Sequence, residues 1–276
     1  NTWTRFGRDD GWLPVQGAVQ KQLLKDGDGG LWLLTNGDVR RFDGQRGTVY
    51  TAADLGLAQP GAEEALTWQM AYWPERGELW LTSCIWSGPQ PVRGGGVRFF
   101  DGQAWQKQAA LDGACVVGME VGGGRLWLAG VERVFALRVD GSSEEQRLQS
   151  GPAGVRPAYV LDFAFCEDGT AWGLVALCGG ASCDSVRAAY QLQDGQWGAV
   201  GDVNPFLLRI VRNGRDDSIW LLGQDRLYRR PPEGGVFQPL PPLKMQMLTE
   251  DLRTGQVWIL AEDAKEMGLW TLGKEE

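Results

Sequence analysis

The side chains with chemical potential in this chain are cysteines, carboxylates, arginines and tryptophans, and there is no histidine at all. That absence removes Ser-His-Asp and Cys-His nucleophilic catalysis together with histidine-ligated metal hydrolysis. Carboxylate chemistry survives, with Glu63, Glu64 and Asp162 as its candidates, and would suit a hydrolase or lyase acting on carbohydrate. The five cysteines, at 84, 115, 166, 178 and 183, are an odd number, so at least one thiol stays free if the rest pair within the chain. Cys178 and Cys183 are separated by the four residues Gly-Gly-Ala-Ser, which reads as a local disulfide, as half of a zinc site, or as two unpaired buried thiols. No second cysteine pair at ligand spacing exists, so a four-ligand zinc site is hard to assemble, and no metal or cofactor is expected. A second bridge, Cys84 to Cys115, follows if both lie on one rim of the fold, and Cys166 is then the free thiol.

What positions these residues is a repeat. Asp28-Gly29-Gly30-Leu31-Trp32-Leu33-Leu34-Thr35 returns in altered form around Trp80, Trp127, Trp172, Trp220 and Trp258, at spacings of 48, 47, 45, 48 and 38 residues. Periods of about 40 to 50 residues are those of propeller blades. Each unit reads as four short strands joined by Asp-Gly turns, since Asp and Gly tolerate the positive φ that tight hairpins need. The fold expected is all-β: a single six-bladed β-propeller over 1–276 with four-stranded antiparallel blades near 19–52, 66–110, 115–149, 159–201, 207–240 and 244–276. The last unit lacks a fourth strand, and Thr2-Trp3-Thr4-Arg5-Phe6 stands unpartnered at the start. Pairing it with the strand Gly268 to Leu272 would close the ring and protect its ends.

The repeat followed by Val39-Arg40-Arg41-Phe42-Asp43-Gly44 resembles the two-component regulator propeller repeat, roughly D-G-x-[LI]-W-[IL]-G-T and then G-L-x-R-[FY]. The resemblance spans nearly the whole chain. It implies an extracellular or periplasmic sensing or ligand-binding propeller, often attached to a signalling protein. A start at Asn1 without Met fits a piece of a longer protein, and nothing there reads as a signal peptide.

Departures from equivalence among the blades point to function. The second-to-third-strand connection of blade two, residues 83–95, far exceeds its counterpart at Asn36-Gly37, and blade four has a matching excess at Cys178 to Asp184. Trp86, Gln90 and Arg93 on the first of these, with Trp68 and Trp12 near blade entries, would make an aromatic and cationic rim for a small molecule, a glycan or a protein. Packing of the loops onto the ring is the competing account of the same residues. The expected function is non-catalytic ligand binding or sensing, with a protein-docking scaffold and a carboxylate hydrolase or lyase as alternatives. A net charge of -8 argues against nucleic acid, and no apolar run is long enough for membrane insertion.

Three further motifs have plain readings. Lys25-Asp26-Gly27-Asp28-Gly29-Gly30 looks like a calcium loop but lacks the spaced later carboxylate, so a turn is expected. Glu167-Asp168-Gly169-Thr170-Ala171-Trp172 approaches the Asp box of sialidases but carries an extra residue before the Trp. Arg209, Arg212, Arg215, Arg229 and Arg230 read as solvated or ion-paired strand positions.

Overall fold

A computed structural model describes residues 20–35, 37–88, 90–151, 154–179, 182–200, 207–223, 226–232, 234–240, 244–251, 256–262 and 267–271. The described chain is all-β with almost no helix, a one-turn 3-10 helix lying at Ala109–Leu111. It forms six sheets in chain order, five of four strands and one of three, with the strands of each sheet hydrogen-bonded in sequence. Sheet one is Gln20–Lys25, Leu31–Thr35, Asp38–Phe42 and Gly47–Thr51; sheet two is Glu64–Trp73, Glu78–Ser87, Gln90–Phe100 and Trp105–Lys107. Sheet three is Val116–Gly122, Arg125–Gly130, Arg133–Arg138 and Ser143–Arg147; sheet four is Arg156–Phe165, Ala171–Gly179, Ser182–Gln193 and Gln196–Ala199. Sheet five is Leu207–Arg212, Ile219–Gly223, Leu227–Arg230 and Gln238–Pro239; sheet six is Lys244–Asp251, Gln256–Glu262 and Met267–Thr271. The strand Thr2 to Phe6, and the closure expected of it, lie outside the described residues. The chain divides into two compact units, 1–131 with 135–144 and 132–134 with 145–276.

The repeat motif has a physical cause. Trp32, Trp80, Trp127, Trp172 and Trp220 are 0–3% exposed, and a buried indole N–H needs an acceptor. In sheet one Trp32 Nε1 donates to Asp26 Oδ2 at 2.9 Å, Arg41 donates to the same oxygen at 3.4 Å, and the guanidinium lies 5.4 Å from the Trp32 ring. Sheet five rebuilds this triad from other residues. Trp220 Nε1 donates to Ser218 Oγ at 2.9 Å, Ser218 Oγ donates to Asp216 Oδ1 at 2.6 Å, and Arg229 reaches Asp216 Oδ2 at 2.7 Å while covering the Trp220 ring. In sheet two Trp80 Nε1 donates to Glu78 Oε2 at 2.9 Å, and Phe99 stacks on the ring at 5.0 Å. Arg41, Phe99 and Arg229 are the cross-strand partners of their tryptophans. In sheet one Asp26 and Arg41 thus act together on the Trp, one at its N–H and one at its face, and in sheet five Ser218 stands between Asp216 and the N–H.

Adjacent sheets within each unit are also joined by polar brackets on their first strands. Gln22 Oε1 accepts the Met70 amide at 3.2 Å in the first unit, and Asp162 Oδ2 accepts the Ile210 amide at 3.3 Å in the second. Both donor and acceptor stand ten residues before the repeat tryptophan of their own sheet.

Candidate functional site

The excess in sheet two is not a loop. The first strand pairs without interruption from Glu64 opposite Ser87 to Trp73 opposite Glu78, and the second and third strands run on to a turn at Gly88. Gly94, Gly95, Gly96 and Pro91, which read as loop punctuation, are strand residues here. Register shifts between Ser83 and Cys84 and between Ile85 and Trp86 absorb the irregularity. Gly94 is required by what covers it: a Cβ there would stand 2.6 Å from the backbone of Gly113 and Ala114. That covering backbone leads directly into Cys115, which is disulfide-bonded to Cys84 with Cα atoms 4.6 Å apart.

The bridge holds the outer half of this hairpin against the connection from sheet two to sheet three, and the candidate side chains hang from it. Trp86 is half-buried. Its Nε1 donates to Thr67 Oγ1 at 2.8 Å, and that hydroxyl donates to the Cys84 carbonyl at 3.2 Å. Arg93 donates to Glu64 Oε2 at 2.8 Å and to the Gln59 carbonyl at 3.1 Å. The Gly61 amide and then the Arg93 guanidinium hold the Glu64 carboxyl below its ordinary value, so Glu64 is an acceptor at neutral pH and unsuited to general-acid work. Gln90 and Val92 are exposed near the tip. The geometry brings Trp86, Arg93 and Gln90 onto one hairpin.

Trp68 does not join them. It is 2% exposed and packs with Trp32, Leu55, Leu57 and Met70, because it lies mid-strand on the face opposite to that of Ala65, the partner of Trp86. Trp12 lies outside the described residues.

In the second unit the matching excess is again hairpin, with Ala171–Gly179 and Ser182–Gln193 paired from Trp172 opposite Gln191 to Gly179 opposite Ser182. Cys178 is disulfide-bonded; the Cys183 side chain lies outside the described ones. Cys166 is free and half-buried. Burial first, then the nearby Asp217 and Asp168 carboxylates, push its thiol up to about 12, so it is protonated and unreactive at neutral pH. Those three groups lie within 4.8 Å of one another. Asp217 is already engaged by Arg212 and by the Glu167 amide, and Asp168 by the Thr170 amide.

The remaining motifs are structural. Asp26 Oδ1 accepts the amides of Gly30 and Asp28, and with Oδ2 held by Trp32 and Arg41 the calcium-like loop is a turn. Arg209 pairs with Asp162, Arg212 with Asp217 and Glu167, and Arg229 with Asp216. Arg230 lies 4.7 Å from the Trp172 ring centroid. Asp162 is pushed above its ordinary value by burial, against the pull of Arg209. Sequence reasoning passed over Arg98, which is 6% exposed and donates to the Leu55, Gly56 and Val97 carbonyls and to Asp112. Its only sequence signal is that it occupies the third-strand position of Arg40.

No family model matches the chain, and no curated protein matches it by sequence. Solved structures do match its fold. The extracellular domain assigned to one hybrid two-component system of B. thetaiotaomicron aligns with TM-score 0.57 at 12% identity, over 96% of this chain and 34% of that one. A second such domain from the same organism gives 0.58 at 15%, over 99% and 35%. An α-L-arabinanase of Penicillium chrysogenum, solved with arabinobiose, gives 0.50 at 11%, over 94% of each chain. The chain therefore spans about a third of the length of the two two-component-system domains, and at these identities the likeness establishes a propeller-type all-β fold.

Proposed function

We propose that the chain is a ligand-sensing module of an extracytoplasmic receptor, its six repeats being six blades of a propeller, and that its ligand meets the extended hairpin of sheet two. One observation carries this reading. A hairpin longer than the repeat requires is pinned by the Cys84–Cys115 bridge, and it presents Trp86, Arg93 and Gln90 together. A side chain held before binding loses less entropy when the ligand arrives. The exposed Arg93–Glu64 pair is cheap to open, so the guanidinium can be redirected to an anionic or hydroxyl-bearing group. The fold likeness to extracellular domains of two-component systems, and a disulfide that persists in oxidising compartments, support sensing outside the cytoplasm. The extended hairpin of sheet four, bearing Cys178 and Cys183, is read as a second such surface.

The exposed Val92 beside Arg93 favours a protein segment as the alternative occupant. A thermal-shift screen of sugars, organic anions and peptides finds the ligand class, since a ligand at a hundred times its Kd adds about 2.7 kcal/mol of stability. Trp86→Ala with Arg93→Ala should abolish the shift while the protein still unfolds cooperatively. Hits that bind the double variant unchanged would remove the hairpin as the site.

A further inference from the structure

The second unit holds a cavity of about 320 Å³ walled by Glu132, Arg133, Glu145, Arg147, Ser150 and Arg156, large enough for a small ligand. Two features set it apart. Glu132 sits at φ 59 in the tight turn between the second and third strands of sheet three. Gly29, Gly44, Gly102, Gly141, Gly169 and Gly195 hold the left-handed position in other turns, and among the described residues Asp194 and Asp217 are the other side chains found there, both Asp, which tolerates it better than Glu. A side chain there is strained, and such strain collects at functional sites. The surroundings enforce it: the Glu132 amide donates to the Ala158 carbonyl at 2.5 Å, and its carbonyl accepts the Leu148 amide at 3.1 Å. The strain places a carboxylate on the cavity wall, where Glu132 Oε1 meets Arg156 Nε at 2.8 Å.

The second feature is the charge balance. Arg133 reaches Glu145 at 3.3 Å, and both this pair and Arg156–Glu132 are solvent-exposed and readily rearranged. Arg147 makes no ion pair among the described residues. Three guanidiniums thus face two carboxylates, a local positive surplus in a chain of net charge -8.

We propose that this cavity binds a small polyhydroxylated monocarboxylate. Arg147 takes the carboxylate through two parallel N–H bonds, the geometry a guanidinium fork offers. The Glu132 and Glu145 carboxylates accept from the hydroxyls, each oriented by its own arginine, and the surplus charge is neutralised by one anionic group. A bare inorganic anion would leave those carboxylates unused and facing a like charge. The assignment uses none of the hairpin residues, so it stands or falls apart from the sensing role given to sheet two.

Isothermal titration of the whole chain with D-gluconate, with sorbitol as its uncharged analogue and with inorganic phosphate, tests it. Gluconate should bind one to one, and sorbitol and phosphate each at least about tenfold more weakly. Arg147→Met should weaken gluconate by about tenfold or more with the melting temperature unmoved, because the replaced group is exposed and unpaired; Arg147→Lys, which keeps charge but not the fork, should fall between. Glu132→Gly should hold or raise the melting temperature by relieving the turn while weakening gluconate. Silence at millimolar gluconate, equal binding of sorbitol or phosphate, or full binding to Arg147→Met would each overturn the proposal.

Discussion

Replacing both Cys84 and Cys115 by Ala asks whether the hairpin of sheet two is held by the bridge or by its own pairing. Alanine is the right replacement, because Cys84 is 0% exposed and a serine there would bury a hydroxyl. The bridge joins residues 31 apart. The chain-entropy relation then gives about 12 cal/mol/K of constraint on the unfolded chain, or about 3.7 kcal/mol at 25 °C. Strain or residual structure in the reduced chain would lower that figure. The contacts on the native side are extensive: an unbroken register between the first two strands, the Thr67 link from Trp86 to the Cys84 carbonyl, and the Gly113–Ala114 backbone seated on Gly94. The double variant should therefore fold, with the stability of the first unit lowered by about 2–4 kcal/mol and its m-value somewhat raised, because the unlinked denatured chain exposes more surface. Amide exchange should accelerate chiefly at 84–96 and 113–116. Urea titration of oxidised protein, dithiothreitol-reduced protein and the double variant provides the comparison. Agreement of all three within about 0.5 kcal/mol would refute the reasoning, since the bridge would then be decoration on a hairpin stable without it.

Arg98→Ala should destabilise the first unit by about 1–3 kcal/mol in the same titration, because the buried Leu55 carbonyl loses its donor, whereas the Val97 carbonyl keeps the Gln108 amide, Asp112 keeps Lys107 and the exposed Gly56 turns to water. Gly94→Ala should cost about 1–3 kcal/mol, the added carbon meeting backbone that cannot rotate aside; a neutral result would mean that the 113–114 segment does not sit there. Asp162 binds its proton more tightly folded than unfolded, so its contribution to stability is present below its ordinary value and is lost as pH rises through its raised one. Asp162→Asn should be increasingly stabilising relative to the parent from pH 4 to pH 7, with melting curves across that range as the check. Cys166→Asp should destabilise the second unit, most at neutral pH, although it restores the residue that sheet one has at this place.

The fold was legible because its signal is periodic. The strands around Trp32, Val39–Phe42 and Gly47–Thr51 are where Asp-Gly turns and alternating apolar residues put them, and so are the corresponding strands of later sheets. The candidate site was legible only in part. Extra length between strands shows that something is added, but Gly and Pro in 83–95 suggested loop, while the structure shows strand. A glycine's reason can be the backbone lying over it, and that backbone comes from residues about twenty positions away at 113–114. Trp68 and Trp86 are alike in sequence, but one faces the core and the other the hairpin surface, a difference set by register alone. The charged cavity left one weak mark, Val131-Glu132 at a hairpin where a glycine was to be expected.

Cys166 shows why matching a repeat to its consensus is not the same as understanding it. It stands six residues before Trp172, as Asp26 does before Trp32. In sheet one the carboxylate accepts the indole N–H and balances Arg41; in sheet four Trp172 Nε1 has no oxygen or nitrogen acceptor among the described residues, and the thiol faces it instead. The neighbours account for the exchange. Asp168 and Asp217 already place two carboxylates within 4.8 Å of the sulfur, and a third negative charge at that distance would be strongly unfavourable in a half-buried site. A thiol raised to about 12 adds no charge and still offers a weak acceptor to the indole. Arg230 over the Trp172 ring supplies the cation that Arg41 supplies in sheet one, at 4.7 Å from the ring rather than 5.4 Å. In sheet four the cation over the buried indole is kept, and the carboxylate gives way to a thiol where Asp168 and Asp217 have already supplied the charge.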